Sequence, residues 1–478
     1  MGANSKPNPH QVLNLVATAT DLQWVSKNTA ILVVHGIGNQ LPLETIDQFG
    51  RGLIQQYRAE YREGFSISHK IVSKKSDDNG VWFDNALRLQ KDDSEYFIDI
   101  YEYYWADYTE DKASWKDLNT WLQGVVNGAE KFYKRNGQIG EQYKDKSPFF
   151  DTKTGKFKVG IYRFFMSVVS KVFLFIDMIW RIIIWLISLI PFLGKFADSL
   201  LQSYADTIVH DLTNILGDVA VYNVVDPKSK FYGVRRKILD GAVKAIKYLV
   251  ERPADDDFDL QAVVDKVKEN KLGLNTVEKS ALDEELELEL RCQHLFYSSV
   301  VIAGHSLGSQ VAYDAINKIN LLVNEGELLN YDKNALCKFG DEEHAHMLSE
   351  QLCGFITFGC PLDKIVFFLR ENVSDNEYLR QQFLDNYHGF KQRPLNTANS
   401  EKTNKKYMRL PCNMEKRLDA IKWRNYYDSK DYISGGLDYY TKLTNIDCRF
   451  KAGTFGFTHS YYWDCPRFYA DIIDNFLV

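Results

Sequence analysis

The sequence predicts an α/β protein with a mostly parallel central sheet that is covered by helices on both faces. Short apolar runs rich in β-branched residues recur along the 478-residue chain, and stretches with helical periodicity separate them. Hydrophobic residues make up 45% of the chain and charged residues 26%, so the chain can bury a large core and is not disordered.

The first quarter of the chain supplies the first strands of this sheet. Thr29–His35 (TAILVVH) is a β-branched apolar run followed by glycine, as expected of a buried parallel strand, and a helix should follow it. Phe65–Val72 and Ala86–Gln90 are joined by a polar turn and predict a hairpin at the sheet edge. Tyr96–Trp105 predicts a further strand.

The rest of the chain continues this alternation. Gly217–Val225 is an apolar run that is expected to form a strand and to lead into a helix around Arg235–Leu249. Later strands are predicted at Ser298–Ala303, Gly354–Phe358, Lys422–Tyr427 and Ile446–Phe450.

Insertions are expected to interrupt this core. The first part of the core covers residues 1–110, a helical insertion covers 111–204, and the remainder of the core covers 205–478. Within the remainder, the charge-dense stretch 251–291 is expected to be a solvated helical excursion. The basic loop 391–409 is also expected to be solvated, with contact to an anion as the alternative.

The helical insertion contains an apolar segment, 161–196, of about the length of a membrane span. Charged residues and Pro191 interrupt it, and its longest charge-free run, Ile182–Gly194, has thirteen residues. On a helix, its charged and serine side chains fall within an arc of roughly 120°, opposite a broad apolar surface. We expect this segment to dock on a membrane surface, to insert into it, or to act as a lid there. The alternative is a buried cap or an oligomer helix.

Composition excludes some classes of partner and compartment. The 58 Lys and Arg residues against 64 Asp and Glu residues give a net charge of −6, so no nucleic-acid partner is expected. The seven cysteines are odd in number and scattered, and the N-terminus has no secretory pattern, so a cytoplasmic protein associated with a membrane is expected. The cluster Glu342, Glu343, His344 and His346 is interpreted as a solvated helix end, so no metal and no cofactor are expected.

The motif with the clearest chemistry is G-x-S-x-G, formed by Gly304, Ser306 and Gly308 within VVIAGHSLGS. An apolar strand ends at the first glycine, and a helix with a continuous apolar face begins just after the serine. Such a tight turn needs small residues on both sides, because it brings backbones together while it lifts the serine hydroxyl clear of the sheet. Ser306 is therefore the candidate nucleophile.

In these motifs the chain resembles the α/β-hydrolase superfamily, and within it the serine lipases and esterases. The resemblance extends from Thr29 to the C-terminus apart from the insertions, and its most specific motif is AGHSLGSQVA. HGIG at His35–Gly38 looks like the oxyanion loop of the lipases. The resemblance implies an α/β-hydrolase fold in which the backbone amides of Ile37 and Leu307 stabilise the negative charge that develops on the acyl oxygen.

A serine hydroxyl needs a histidine to take its proton and a carboxylate to orient that histidine, in the chain order Ser, acid, His. Only His459, of the four histidines after Ser306, follows the last long strand candidates, in the loop KAGTFGFTHSYYW. Two aspartates in WRNYYDSKDYIS could reach it. Asp431, followed by Tyr-Ile-Ser, looks like the acid of the lipase pattern and is favoured, with Asp428 as the alternative.

These residues predict a serine hydrolase that cleaves carboxylic esters through an acyl-enzyme without a cofactor. The apolar segment 161–196 favours lipids over small soluble esters, in the manner of a lipase or phospholipase. A thioesterase or peptidase would use the same triad, so both stay alternatives. In a third alternative, the core is a non-catalytic scaffold that the apolar segment anchors to a membrane.

Overall fold

The computed structural model describes most of the predicted core. The described residues are 10–12, 24–37, 40–61, 64–71, 81–109, 115–135, 137, 149–164, 166–167, 218–219, 221–223, 228–252, 295–325, 351–363, 377–392, 412–431, 433–451 and 458–477.

A nine-stranded sheet forms the centre of the described structure. Its strands are β1 (His10–Val12), β2 (Thr29–Val34), β3 (Phe65–Ile71), β4 (Asn85–Lys91), β5 (Phe97–Tyr103), β6 (Ser299–His305), β7 (Leu352–Phe358), β8 (Lys422–Tyr427) and β9 (Leu443–Asp447). The spatial order is β1-β9-β8-β7-β6-β2-β5-β4-β3. In this spatial order, each pair of neighbours from β1 at one edge to β5 is parallel. The last two pairs, β5 with β4 and β4 with β3, are antiparallel. The predicted mostly parallel sheet with an edge hairpin is confirmed.

Helices cover both faces of this sheet. They are α1 (Glu44–Glu60), α2 (Trp115–Arg135), α3 (Tyr232–Glu251), α4 (Leu307–Asn324), α5 (Tyr378–Tyr387) and α6 (Pro466–Phe476). Side chains alternate along a strand, so Leu32 and Val34 of β2 pack with α2, α3 and α4, whereas Ile31 and Val33 pack with α1 and α6. The core therefore has two layers, one on each side of the sheet.

The structure corrects three details of the predicted elements. The strand expected at Gly217–Val225 is wrong, because the described residues from Asp218 to Tyr222 are helical. Val219, Val221 and Tyr222 are buried there, and a short apolar run fits a buried helix as well as a strand. The last strand, β9, lies three residues earlier than the predicted Ile446–Phe450, and the short strand β1, which pairs with β9, was not predicted.

The described part of the helical insertion packs against the loops that follow β7 and β8. Phe132 of α2 meets Tyr439 edge to face, with 5.4 Å between ring centroids. Tyr133 is partly buried against the same apolar core, and its electrostatic neighbours include Asp363 and Asp438 in those two loops. The end of α2 thus belongs to the apolar layer on one face of the sheet.

Much of what was predicted for the insertions lies outside the described residues. Of the apolar segment, only 161–164 and 166–167 are described, and these residues are helical. Ile161 and Phe164 are 48% and 71% exposed. Among the helices of the described ranges, none combines the length and the hydropathy that crossing a bilayer requires. The charge-dense stretch lies outside the described residues except for the end of α3 and Arg252.

Lys391, the first cation of the basic loop, does not fit the expectation of a solvated loop. It is only 3% exposed, and its ammonium group donates to the carbonyls of Ile421 and Lys442, just before β8 and β9. Burial lowers the pKa of Lys391 to about 8. Lys391 therefore ties two strand entries together at the edge opposite to the carboxyl ends. Residues 393–409 of this loop lie outside the described structure.

Candidate active site

The predicted site residues come from loops that follow parallel strands. His35 follows β2, Ser306 follows β6, and Asp428 and Asp431 follow β8. The carboxyl ends of parallel strands share one edge of the sheet, so these loops lie at the same edge. The strand order changes direction between β2 and β6, which is where open α/β sheets bind their ligands.

Ser306 occupies a strained turn between β6 and α4. Its φ of 51° and ψ of −128° lie outside the regions that residues with a side chain prefer. Its N–H donates to Phe358 O of β7 at 3.0 Å, which fixes the turn to the sheet. The turn places the Ser306 side chain at the N-terminus of α4, where the helix dipole favours negative charge.

The glycines of the motif are required by close backbone contacts. A Cβ on Gly308 would lie 2.2 Å from His35 O, and a Cβ on Gly304 would lie 2.5 Å from Ser309 Cα. Neither clash can be relieved by a side-chain rotation, because the atoms that would be struck belong to the backbone. The same turn therefore presses α4 against β6 and against the loop after β2.

His35 organises the loop that was predicted to stabilise the oxyanion. Its Nδ1–H donates to Gly36 O at 2.7 Å, and its Nε2 accepts from the Trp105 N–H at 2.8 Å, so the ring is a neutral tautomer. Trp105 also stacks on the ring, with an interplanar angle of 6°. Burial, partly offset by the bond to Gly36, lowers the pKa of His35 to about 4.

This loop sets the direction of the Ile37 amide. The Gly36–Ile37 peptide is trans, so its N–H points away from the carbonyl that His35 holds. Gly36 lies so close to the turn that an added Cβ would be 2.7 Å from Ser306 Cβ. Leu307, the other predicted donor, is the first residue of α4, and its N–H has no intrahelical acceptor.

The structure brings Asp431 and His459 together. His459 Nδ1 lies 2.9 Å from Asp431 Oδ2, and Asp431 Oδ1 accepts from the Ile433 N–H at 2.9 Å. Burial alone would raise the pKa of Asp431, but the hydrogen bond and charge of His459 outweigh it, so the pKa is lowered. Asp431 is therefore ionised at neutral pH, and it holds the proton of His459 on Nδ1.

Asp428 does not contact His459. Its two carboxylate oxygens accept from the Lys430 N–H at 2.9 Å, the Phe450 N–H at 2.7 Å and the Thr458 hydroxyl at 3.2 Å. These bonds fasten the loop after β8 to the segments after β9 and before His459. The geometry thus favours Asp431 over Asp428 as the partner of His459.

Three residues around the pair were not singled out in the sequence. The Tyr462 hydroxyl donates to Asp431 Oδ2 at 3.1 Å and lies 3.0 Å from Ser434 Oγ. Gly359, with a φ of 61°, lies so close to His459 that an added Cβ would be 2.9 Å from its Cε1 atom. A glycine directly after a strand was a usable signal for Gly359, whereas nothing in the sequence pattern marks Tyr462 or Ser434.

His305, beside the nucleophile, packs in the turn and also supports His459. Its Nε2–H donates to His459 O at 3.3 Å, and the two rings lie 4.9 Å apart. Burial and the neighbouring charge of His459 lower the pKa of His305 to about 3, so the ring is neutral at neutral pH. The residue before Ser306 thus holds the loop that carries the candidate base.

Two polar atoms at this site have no hydrogen-bond partner among the residues that the structure describes. Ser306 Oγ and His459 Nε2 are both buried, and no hydrogen bond joins them to each other in this structure. Serine and histidine in catalytic sites often draw together only when substrate binds. No group of three or more metal-ligating side chains that could hold an ion occurs within the described ranges.

Comparisons of the chain with protein-family models, with curated proteins and with solved structures find no match in any of the three. The interpretation of the site therefore rests on its own geometry: a strained serine at a strand-to-helix turn, and a buried aspartate–histidine pair on neighbouring loops.

Proposed function

We propose that the protein is a serine hydrolase of the α/β-hydrolase fold, which cleaves carboxylic esters with the triad Ser306, His459 and Asp431. The observation that carries the proposal is the buried Asp431–His459 hydrogen bond at the same sheet edge as the strained Ser306 turn. Each feature alone occurs for structural reasons. Together they supply a nucleophile, a base and the group that orients the base.

The mechanism follows from where the protons lie. Asp431 keeps the His459 proton on Nδ1, which leaves the Nε2 lone pair free to take the proton of Ser306 Oγ. The serine oxygen attacks the ester carbonyl carbon, and the Ile37 and Leu307 amides stabilise the oxyanion. His459 returns the proton to the leaving alcohol, and water then hydrolyses the acyl-enzyme by the same steps in reverse order.

Lipids are the substrate class we propose. The support is the apolar segment 161–196, whose first described residues include the 71% exposed Phe164. A segment of this kind suits contact with a membrane surface, and it follows α2, whose Phe132 packs against the connection between β8 and β9. We accordingly propose a lipase-like or phospholipase-like enzyme that works in the cytoplasm on a membrane.

A fluorophosphonate probe, which reacts only with an activated serine, tests the proposed triad. The wild-type chain, Ser306→Ala and His459→Ala would be labelled with and without liposomes. The matched controls are Ser298→Ala, at an exposed serine just before β6, and His69→Ala, at an exposed histidine of β3. We expect labelling of the wild type and both controls and none of the two triad variants.

The outcomes separate the parts of the proposal. A folded wild-type chain that stays unlabelled under every condition would overturn the hydrolase proposal and favour a non-catalytic scaffold. Competition with a fatty-acyl ester, an acyl thioester and a peptide amide then assigns the substrate. Protection by the thioester or the peptide alone would overturn the choice of lipid esters.

A further inference from the structure

We infer that Tyr462, supported by Ser434, is a positioning residue that sets the basicity of His459 through Asp431. This inference rests on the proposed function, because it concerns how the base of the triad is tuned. Tyr462 lies three residues after His459 and touches Asp431 on the same oxygen, Oδ2, that faces His459 Nδ1. The carboxylate oxygen is thus shared between two donors.

Counting protons fixes the direction of the bonds. Asp431 is ionised and can only accept, so the single hydroxyl proton of Tyr462 is committed to it. The Ser434 hydroxyl lies 3.0 Å from Tyr462 Oη and also hydrogen-bonds to Asp431. Ser434 and Tyr462 together with Asp431 therefore form a chain of hydrogen bonds that ends at His459.

Burial keeps this chain in one protonation state. Tyr462 is fully buried, and burial raises its pKa well above 10, so the hydroxyl stays protonated. The titratable groups that face the chain are His305 from β6, Asp428 from the same loop and Cys448 after β9. His305 is neutral at neutral pH, and burial holds the pKa of the Cys448 thiol well above its ordinary value.

The shared oxygen gives Tyr462 a definite effect on His459. A hydroxyl that donates to Oδ2 draws electron density from it and weakens its attraction for the His459 imidazolium. Without that hydroxyl, Asp431 would stabilise the protonated imidazole more strongly. A smaller fraction of molecules would then carry the neutral imidazole that takes the serine proton.

The test is the pH profile of the fluorophosphonate labelling rate in the full chain. In Tyr462→Phe we expect the inflection to move up by about half a pH unit, which lowers the rate on the acidic side about threefold. Ser434→Ala should shift it in the same direction by less. The matched control is Tyr426→Phe, which also removes a buried hydroxyl bound to a carboxylate, that of Asp471, but does not touch the triad.

Each result decides one question. An inflection that stays in place in both Tyr462→Phe and Ser434→Ala, with wild-type labelling intact, overturns the role of Tyr462 and leaves the proposed function standing. A shift of the same size in Tyr426→Phe overturns it as well, because the effect would then be a general one of lost stability. A wild-type chain that is unlabelled at every pH overturns the proposed function itself. If Tyr462→Phe does not fold, Ser434→Ala alone carries the test.

Discussion

Asp428 and Asp431 lie only three residues apart in the chain, but their carboxylates have different roles. Asp428 accepts from three donors of its own and neighbouring loops, and these hold its carboxylate away from His459. Asp431 faces His459 with an oxygen that also accepts from Tyr462. The first carboxylate holds loops in place, and the second is placed to orient a base.

We expect Asp431→Asn to lower the rate of fluorophosphonate labelling by about 10³- to 10⁴-fold with little change in stability, because the amide cannot hold the His459 proton on Nδ1 in the same way. Asp428→Asn should instead lower the free energy of unfolding by about 1–3 kcal/mol and leave most of the labelling rate. Labelling rates and denaturant unfolding of both variants distinguish the roles. The reverse pattern would make Asp428 the acid.

Side-chain chemistry at the site was only partly predictable from the sequence. Ser306 was marked by the glycines around it, and His459 by its position after the last strands. Tyr462 and Ser434 could not be found in this way, because their roles depend on contacts around Asp431 that form only where several loops meet in the folded chain. The inward-facing role of Lys391 was also hidden, since its neighbours in sequence are basic and polar.

At the scale of elements, the β6–turn–α4 unit depends on contacts between backbones. Gly308 lies against the carbonyls of Val34 and His35, so the helix and the strand β2 touch without any side chain between them. A larger residue must push α4 away from β2, and with it the Leu307 amide from the loop that carries Ile37.

Gly308→Ala is therefore expected to lower the free energy of unfolding by about 3 kcal/mol or more and to abolish labelling. The matched control is Gly233→Ala in α3, where an added Cβ meets no atom within 4 Å. That variant should be neutral or gain up to about 1 kcal/mol, because alanine favours a helix over glycine. Thermal unfolding with labelling of both variants measures the difference. Equal stability of the two variants would contradict the packing argument.

The central strands were predictable because they are continuous apolar runs, whereas the elements around them were not. β9 begins earlier than predicted since its polar residue Asn445 is buried and accepts from Asn425 Nδ2 at 2.9 Å, and Asn425 in turn accepts from Thr357. A ladder of buried polar side chains across three strands is invisible to a search for apolar runs. The strand predicted at Gly217–Val225 was wrong for a different reason. Its apolar run was too short to show whether its period was that of a strand or of a helix.

Among the described residues, His35 and His305 are buried neutral histidines that make the stability of the whole molecule sensitive to acid. The pKa of His35 is about 4 and that of His305 about 3, both lowered chiefly by burial from an unfolded value near 6.5. As the pH falls below 6.5 the unfolded chain binds protons that the folded chain excludes, so stability is complete above pH 6.5 and declines towards the folded values.

Each of these histidines should lower the free energy of unfolding at pH 5 by about 2 kcal/mol relative to its value at pH 7.5. In His305→Gln the loss of unfolding free energy between these two pH values should be smaller than in the wild type by about that amount. His69→Gln, at an exposed position on β3, should lose as much as the wild type. Urea unfolding at both pH values measures this. Equal losses in all three proteins would show that His305 is not buried as a neutral ring.

The position of β2 in the sheet also determines how long, during synthesis, this strand waits for its second neighbouring strand. β2 lies between β5, which ends at Tyr103, and β6, which begins at Ser299. At about 5–20 residues per second, about 10–40 s pass on the ribosome between these two partners. During that time β2, whose six residues are all buried in the finished sheet, lacks its second neighbour and presents an apolar edge that could pair with another chain. We therefore expect the nascent chain to be more prone to aggregation than the completed fold.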